Sequence, residues 1–119
     1  MKRDWDLIRE ILLKLERQAS ARGLLKDNGF VGYSPETVSY HFKLLSDAGL
    51  IEAVDYSSMN ELTLVARSLT WQGHEFLDKI RNETVWNDLK TFIKTKSLDL
   101  SFESIKQVAT HIIASMLSS

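Results

Sequence analysis

The sequence predicts a mostly helical α+β fold with a single β-hairpin. A capped amphipathic segment, residues 34–48, is followed by two runs of strand-forming residues that flank a polar turn. Apolar residues recur at helical spacing in four further segments, two of them in the last third of the chain. The length of 119 residues, with 44% hydrophobic and 26% charged residues, is typical of one soluble globular domain.

The first predicted helix spans residues 4–17. Asp4 is a suitable N-cap, and Asp6 places negative charge at the positive end of the helix dipole. The apolar residues recur at helical spacing and form one stripe, which comprises Trp5, Ile8, Ile11, Leu12 and Leu15. We interpret this helix as part of the scaffold.

The segment that leads to the second helix has no single clear pattern. Residues 19–26 are predicted to hold a short helix or a helical turn, and Phe30 and Val31 a short strand. Gly29 and Gly32 predict turns on either side of that strand. A helix-turn-helix needs a supporting helix before its recognition helix, and this segment is a poor match to one.

The second predicted helix, residues 34–48, has clear start and stop signals. Ser34 is an N-cap residue, Pro35 suits the first turn, and Gly49 suits the left-handed position after the last turn. At about 100° per residue, one face is apolar and is predicted to be buried. That face comprises Val38, Phe42, Leu45, Ala48 and His41, the last as a packed, hydrogen-bonded histidine. The opposite face comprises Glu36, Tyr40, Lys43 and Asp47, with Ser39 on its flank.

The hairpin and a third helix follow. Residues 50–54 and 62–69 are rich in strand formers, and the residues between them are polar loop formers. Thr70 is predicted to cap the helix, in which Gly73 lies on the buried face and indicates close approach to a neighbouring backbone. Trp71 opens this helix and is predicted, like Trp5 and Trp86, to belong to the core rather than to a ligand platform.

The last third of the chain predicts two further helices, residues 83–94 and 102–117, with Asn82 and Ser101 as caps. The final helix has a wide apolar face, which comprises Phe102, Ile105, Val108, Ala109, Ile112, Ile113, Met116 and Leu117. A face this wide predicts a homodimer formed through the C-terminal helix. The alternative is that the helix packs on the first helix of the same chain.

Two stretches in order resemble winged-helix regulators. The stretch TVSYHFKLLSDAGLIEA, residues 37–53, is similar to their recognition helix and first wing strand, and SLTWQGHEFLDKI, residues 68–80, is similar to the second wing strand and the next helix. The resemblance implies a winged helix-turn-helix domain over residues 1–81. Residues 82–119 would then be a C-terminal helical extension within the same compact domain.

The whole chain resembles a phage- and mobile-element-associated family of small proteins of unknown function. The matching pieces include residues 1–4, Tyr40-His41, Ala48-Gly49-Leu50-Ile51, Leu69-Thr70-Trp71, residues 73–77 and Val85-Trp86-Asn87. The resemblance implies a winged-helix fold and a prophage or mobile-element setting. It implies no ligand and no particular DNA site.

The leading functional hypothesis is binding of double-stranded DNA and regulation of transcription, because a DNA major groove admits one α-helix. The alternative is a protein-interaction module, such as a phage-coded inhibitor or antirepressor, which the net charge of −1 and the acidic Glu36 and Asp47 favour. The candidate DNA contacts lie on the second helix, in the hairpin and at the start of the chain. They are Ser34, Thr37, Ser39, Tyr40, Lys43, Ser57, Ser58, Asn60, Arg67, Lys2 and Arg3.

Several other classes of function are not expected. The chain has no cysteine, and His74-Glu75 is followed by Asp78 where a zinc-protease helix needs a second histidine. We find no phosphate-binding loop and no nucleophile elbow, so we predict no enzyme, no cofactor and no metal site. There is no secretory signal pattern and no apolar run of the roughly 20 residues that a membrane span needs, which predicts a cytoplasmic protein.

Overall fold

The computed structural model describes residues 1–18, 20–96 and 101–118. Within these ranges it contains five helices and a two-stranded antiparallel sheet, which confirms the predicted mostly helical α+β class. The helices are α1 (Trp5–Glu16), α2 (Pro35–Asp47), α3 (Trp71–Ile80), α4 (Glu83–Lys96) and α5 (Phe102–Leu117), and the strands are β1 (Ile51–Asp55) and β2 (Leu64–Leu69). The chain divides into two compact units, residues 1–74 and 75–119.

Helix α1 begins at a side-chain cap, as predicted. The Asp4 carboxylate accepts a hydrogen bond of 3.1 Å from the Leu7 backbone N–H, one of the four that a helix start leaves unpaired. The buried face comprises Leu7, Ile8, Ile11, Leu12 and Leu15. It therefore includes Leu7, which the predicted stripe lacked, whereas Trp5 is only half-buried.

The described residues between α1 and α2 form no helix, but residues 21 and 22 form a turn that is closed by a hydrogen bond of 3.1 Å from the Gly23 N–H to the Ser20 carbonyl oxygen. Of the short helix or helical turn predicted for residues 19–26, the helix is therefore wrong and a turn is present. Leu25 instead exchanges two backbone hydrogen bonds with Ala66 of β2, at 2.8 and 2.9 Å, and adds one antiparallel bridge to that strand. The strand predicted at Phe30 and Val31 is also wrong. Phe30 is buried, but Val31 is 93% exposed, because it lies in a turn that ends at the left-handed Gly32.

Helix α2 has the caps that its sequence predicts. The Ser34 hydroxyl accepts a hydrogen bond from the Thr37 N–H at 3.2 Å, and Gly49 adopts a φ of +78° after the last turn. The buried residues include four of the five predicted, Val38, His41, Phe42 and Leu45. Ala48 is exposed instead, because it is the C-cap residue and lies at the end of the packed face.

The hairpin forms in the predicted position. Ile51 pairs with Leu69 at one end of the sheet and Asp55 with Leu64 at the other, with a bulge between Glu52 and Ala53. In the tip, the Ser57 hydroxyl accepts a hydrogen bond of 2.9 Å from the Thr63 N–H. Backbone bonds continue beside it, since the Tyr56 N–H donates to the Thr63 carbonyl oxygen at 2.8 Å and Ser58 and Glu61 form an isolated bridge.

The start of α3 is fixed to the end of α2. The Thr70 hydroxyl donates to the Gly49 carbonyl oxygen at 2.6 Å and accepts from the Gly73 N–H at 3.0 Å. A Cβ atom at position 73 would overlap the carbonyl oxygen of Leu50, which confirms the predicted close backbone approach. Trp71 is 75% exposed, so its predicted place in the core is wrong. It lies on the side of α3 opposite Gly73, because two residues of helix correspond to about 200° of rotation.

In the unit of residues 75–119, α4 packs against α5. Asn82 caps α4 by accepting from the Val85 N–H at 3.1 Å, and Ser101 caps α5 through the Ser104 N–H at 3.1 Å, as predicted. The ring centroids of Phe76 and Phe102 lie 4.7 Å apart. The buried side chains of α4 and α5 are Val85, Trp86, Leu89, Ile93, Ile105 and Ala109. The predicted break before α5 lies mostly in residues 97–100, outside the described residues.

Candidate nucleic-acid interface

The outward face of α2 carries both signs of charge. Glu36, Lys43 and Asp47 are exposed, and Thr37 and Tyr40 are half-buried. The Lys43 ammonium lies 3.0 Å from the Asp47 carboxylate, one helical turn away. The single cation on this face of α2 therefore already has a partner of opposite charge.

Ser39 is not part of that surface. Its side chain is fully buried, and its hydroxyl donates to the Asp27 carboxylate at 2.6 Å and accepts from the Leu64 N–H at 2.9 Å. The predicted DNA contact at Ser39 is therefore wrong, because the side chain is not accessible and its hydroxyl hydrogen is donated within the protein. Its role is to join α2 to the first residue of β2.

The structure brings Ser34 together with Asn60 of the hairpin tip. Both line a groove of about 340 Å³, whose other walls are Pro35, Glu36, Glu61 and Leu62. Two carboxylates and no cation line this groove. Elsewhere in the hairpin tip, Ser58 is exposed and the Ser57 hydroxyl is engaged with Thr63.

Asp55 adds another negative charge at the base of the tip. Hydrogen bonds from Ser57, including one of 2.8 Å from its backbone N–H, hold the pKa of the Asp55 carboxyl below its usual value. The positive charge of Lys43 acts in the same direction, as a smaller contribution. Lys43 is thus influenced by carboxylates on both α2 and β1.

Arg67 lies apart from the candidate contacts on α2 and in the hairpin tip. It is exposed, but it lines a different groove of about 250 Å³, together with Glu16, Gln18 and His74 among others. Arg67 therefore lies outside the groove of Ser34 and Asn60, and its contact with DNA stays a prediction.

Lys2 and Arg3 precede Asp4, whose backbone forms a hydrogen bond with a side chain of α2. The backbone N–H of Asp4 donates to Nε2 of His41 at 2.9 Å, and Nδ1 of His41 lies 2.8 Å from the Thr37 carbonyl oxygen. Because an N–H can only donate, Nε2 is the acceptor and Nδ1 carries the proton. His41 is fully buried, so its predicted role as a packed, hydrogen-bonded histidine is confirmed.

Tyr33 completes this network. Its hydroxyl donates to the Asp4 carboxylate at 2.9 Å, while the other carboxylate oxygen caps α1. Burial and then the hydrogen bond to Asp4 raise the pKa of Tyr33 to about 12. The sequence predicted Asp4 as a cap and His41 as a packed histidine, but it singled out neither Tyr33 nor the connection among the three. No local pattern links positions that are 29 and 37 residues apart.

A family of proteins described as "Hypothetical protein (DUF2513)" matches residues 2–99 of the chain. The chain belongs to this family. It is 71% identical over 118 residues to a Haemophilus influenzae protein named "Uncharacterized protein", an alignment that covers 99% of this chain and 100% of that relative. No solved structure matches the chain.

Among the described residues, no group of three or more His, Cys, Asp or Glu side chains is placed to hold a metal ion. No helix in the same part of the chain has both the length and the apolar character that crossing a bilayer requires. The absence of enzymatic activity stays a prediction.

Proposed function

We propose that this DUF2513 protein is a winged-helix protein that binds double-stranded DNA and regulates transcription. The order of elements supports the fold assignment: α1, the bridge at Leu25, α2, the β1–β2 hairpin and α3. The turn-containing loop of residues 26–34 stands in place of a supporting helix. The setting in a phage or mobile element rests on the sequence resemblance alone.

The observation that carries the proposal is the position of α2 beside the hairpin. Its buried face includes Val38, Phe42 and Leu45, so the side with Tyr40 and Lys43 faces outward. Ser39 bonds to the start of β2 and keeps the hairpin next to this exposed side. A rigid helix of this length fits a major groove, and a flanking hairpin reaches the adjacent backbone.

The charges of this surface set the expected affinity. Phosphate contacts supply most of the affinity of non-specific DNA binding, and carboxylates oppose it. Lys43 is paired with Asp47, and Glu36 and Glu61 line the groove at the N-terminal end of α2. We therefore expect weak binding that decreases steeply as salt is added, and paired half-sites that bind a dimer more tightly than a monomer.

The test is fluorescence anisotropy with a labelled mixed-sequence duplex at about 50 mM salt, where phosphate contacts are strong. Lys43→Glu and Tyr40→Ala are each expected to weaken binding at least about fivefold, a difference of about 1 kcal/mol. Lys94→Glu is the matched control, since Lys94 is an exposed lysine near the end of α4. If Lys43→Glu and Tyr40→Ala both bind like the wild type, α2 is not the recognition helix.

A second candidate function is protein binding through the same end of α2. The groove of Ser34 and Asn60 is lined by Glu36 and Glu61, and exposed apolar side chains occur in both adjoining loops. Val31 is 93% and Met59 102% exposed, and Tyr56 is 63% exposed. Exposed aromatic and methionine side chains beside charged groups are typical of protein interfaces, so a partner segment with basic and apolar residues would fit.

One double variant separates the two candidates. Glu36→Gln with Glu61→Gln removes two negative charges and retains side-chain size. DNA binding is expected to become tighter, because repulsion of phosphate is removed. Binding to a basic protein partner is expected to become weaker, because its complementary charge is lost.

We also propose a homodimer that forms through α5. Only Ile105 and Ala109 of this helix are buried, whereas Ile112 and Ile113 are half-buried and Leu117 is 82% exposed. Light scattering coupled to size exclusion measures the mass directly. A dimer that becomes a monomer in Leu117→Glu supports the proposal, and a wild-type monomer at about 100 μM, far above the Kd of a stable dimer, contradicts it.

A further inference from the structure

We infer that residues 1–3, here called the arm, form a phosphate-binding element of the DNA surface, and that His41 is the residue that positions it. This inference rests on the proposed DNA binding. It assigns to a buried histidine a role in binding that its place in the core does not suggest.

The residue that follows the arm, Asp4, connects it to α2. The Asp4 N–H donates to His41 Nε2 at 2.9 Å, and His41 lies on α2 between Tyr40 and Phe42. The imidazole is held in turn, since Nδ1–H donates to the Thr37 carbonyl oxygen at 2.8 Å. The ring of Tyr40 stands edge-on to it, with centroids 5.9 Å apart. The ring of His41 therefore fixes the direction of the Asp4 N–H, and with it the backbone at the point where the arm enters α1.

The arm brings positive charge to a surface that otherwise has little. Lys2 forms no ion pair with any residue in the described ranges, in contrast to Lys43. The Arg3 guanidinium lies 5.4 Å from the ring centroid of Trp5, so its side chain follows α1 and is exposed. The proposal places a DNA phosphate beside α2 within reach of these two long side chains.

The nearest carboxylate is already engaged. One oxygen of Asp4 accepts from the Leu7 N–H and the other from the Tyr33 hydroxyl, at 3.1 and 2.9 Å. Both carboxylate oxygens of Asp4 therefore already accept hydrogen bonds from the protein. Asp4 therefore anchors the arm through its N–H and caps α1 through its side chain.

The experiment measures the salt dependence of binding to a mixed-sequence duplex between about 25 and 100 mM salt, where each phosphate contact contributes about 0.9 to the slope of log K against log salt. Lys2→Gln with Arg3→Gln is expected to reduce the slope by about 1 to 2. The matched control is Lys94→Gln with Lys96→Gln, which makes the same change of net charge at two exposed lysines of α4. We expect this control to retain the wild-type slope.

His41 is tested with two substitutions of similar size. His41→Leu removes the acceptor of the Asp4 N–H, and we expect its slope to fall as far as in the arm variant. His41→Gln places an amide oxygen near the position of Nε2 and is expected to restore the slope. A loss of stability alone would not change the slope of the folded protein, and circular dichroism at the assay temperature verifies folding.

Each outcome decides the inference. A wild-type slope in the Lys2, Arg3 variant, or an equal reduction in the control, overturns the role of the arm while DNA binding stands. A reduced slope in the arm variant with a wild-type slope in His41→Leu overturns the positioning role of His41. If the wild type does not bind the duplex at about 25 mM salt, where phosphate contacts are strongest, both the proposed function and this inference are wrong.

Discussion

The two compact units of the chain differ in the contacts that stabilise the interior of each. In residues 1–74, the buried side chains include the polar Ser39 and His41, each with hydrogen bonds to another element. In the described part of residues 75–119, the buried side chains are all apolar, for example Trp86, Leu89 and Ile105. Hydrogen bonds require particular distances and angles, whereas apolar burial has no directional preference.

This difference indicates where the molecule needs exact geometry. Ser39, His41 and Thr70 connect α2 to the hairpin, to the start of α1 and to α3. A surface made from several elements keeps its shape only if those elements keep their relative positions. The apolar contacts between α4 and α5 are suited to stability rather than to a defined polar surface.

The largest expected effect is on the junction between α2 and α3. Gly73→Ala forces a methyl group into the Leu50 carbonyl oxygen, which is itself fixed by the Thr70 N–H at 3.0 Å. We expect the free energy of unfolding to fall by about 3 kcal/mol, the upper end for overpacked sites. Urea denaturation measures it, with Gly23→Ala as a milder control, since its nearest contact would be 3.2 Å. Equal stability in the two variants would contradict this junction.

The second prediction concerns the apolar unit. Ile105→Ala removes a fully buried side chain, and a loss of about 3 kcal/mol is expected from lost burial and the remaining cavity. Leu117→Ala, at 82% exposure, is expected to change the monomer by less than about 0.5 kcal/mol. Thermal unfolding of both variants at low protein concentration tests the contrast, which would disappear if α5 did not pack on α4.

The third prediction removes a polar connection. Ser39→Ala leaves the buried Leu64 N–H without its 2.9 Å acceptor, and an unsatisfied buried donor costs about 2 kcal/mol. Ser115→Ala, on an exposed position of α5, is expected to have an effect below about 0.5 kcal/mol. Amide hydrogen exchange of Ser39→Ala is compared with that of the wild type. A larger increase of the exchange rate in β2 than in α1 would show that stability is lost at the hairpin. An equal increase of the exchange rate in β2 and α1 would argue against the connection between Ser39 and β2.

The smallest expected effect appears only in alkaline solution. The pKa of Tyr33 is raised from 10.0 to about 12, so the folded state retains the phenol proton over this interval more strongly than the unfolded state. The contribution to stability is complete below pH 10 and is lost as the pH rises through 12. Tyr33→Phe is expected to flatten the stability curve there, and ultraviolet titration of the wild type should show one late tyrosine. Titration of all three tyrosines near pH 10 would refute it.

Much of the secondary structure was predictable, because its signals are local. Ser34, Asn82 and Ser101 cap their helices through N–H groups three residues away, so their effect is contained in a short window of sequence. Gly73 was also predictable, since a glycine on a buried helix face costs about 1 kcal/mol relative to alanine and implies a compensating contact.

The errors arise from contacts that are distant in sequence. The bridge between Leu25 and Ala66 depends on a strand 41 residues further on, which is the difference of the two residue numbers. Ser39 lies on the flank of α2, and only the position of the hairpin shows that its hydroxyl is consumed. The outward direction of Lys43 was therefore predictable from α2 alone, whereas the burial of Ser39 and the separate groove of Arg67 were not. DNA binding itself stays a prediction.

The bulge between Glu52 and Ala53 has a consequence for solubility. Leu25 covers part of the outer edge of β2, so among the described residues β1 presents the longer unpaired strand edge. An open edge invites pairing with the strand of another molecule and can seed fibrils. β1 is only five residues long, and the extra residue Arg67 of β2, opposite the step from Glu52 to Ala53, increases the twist of the pair. The exposed edge of β1 is therefore short and twisted, and a strand of another molecule would pair with it poorly.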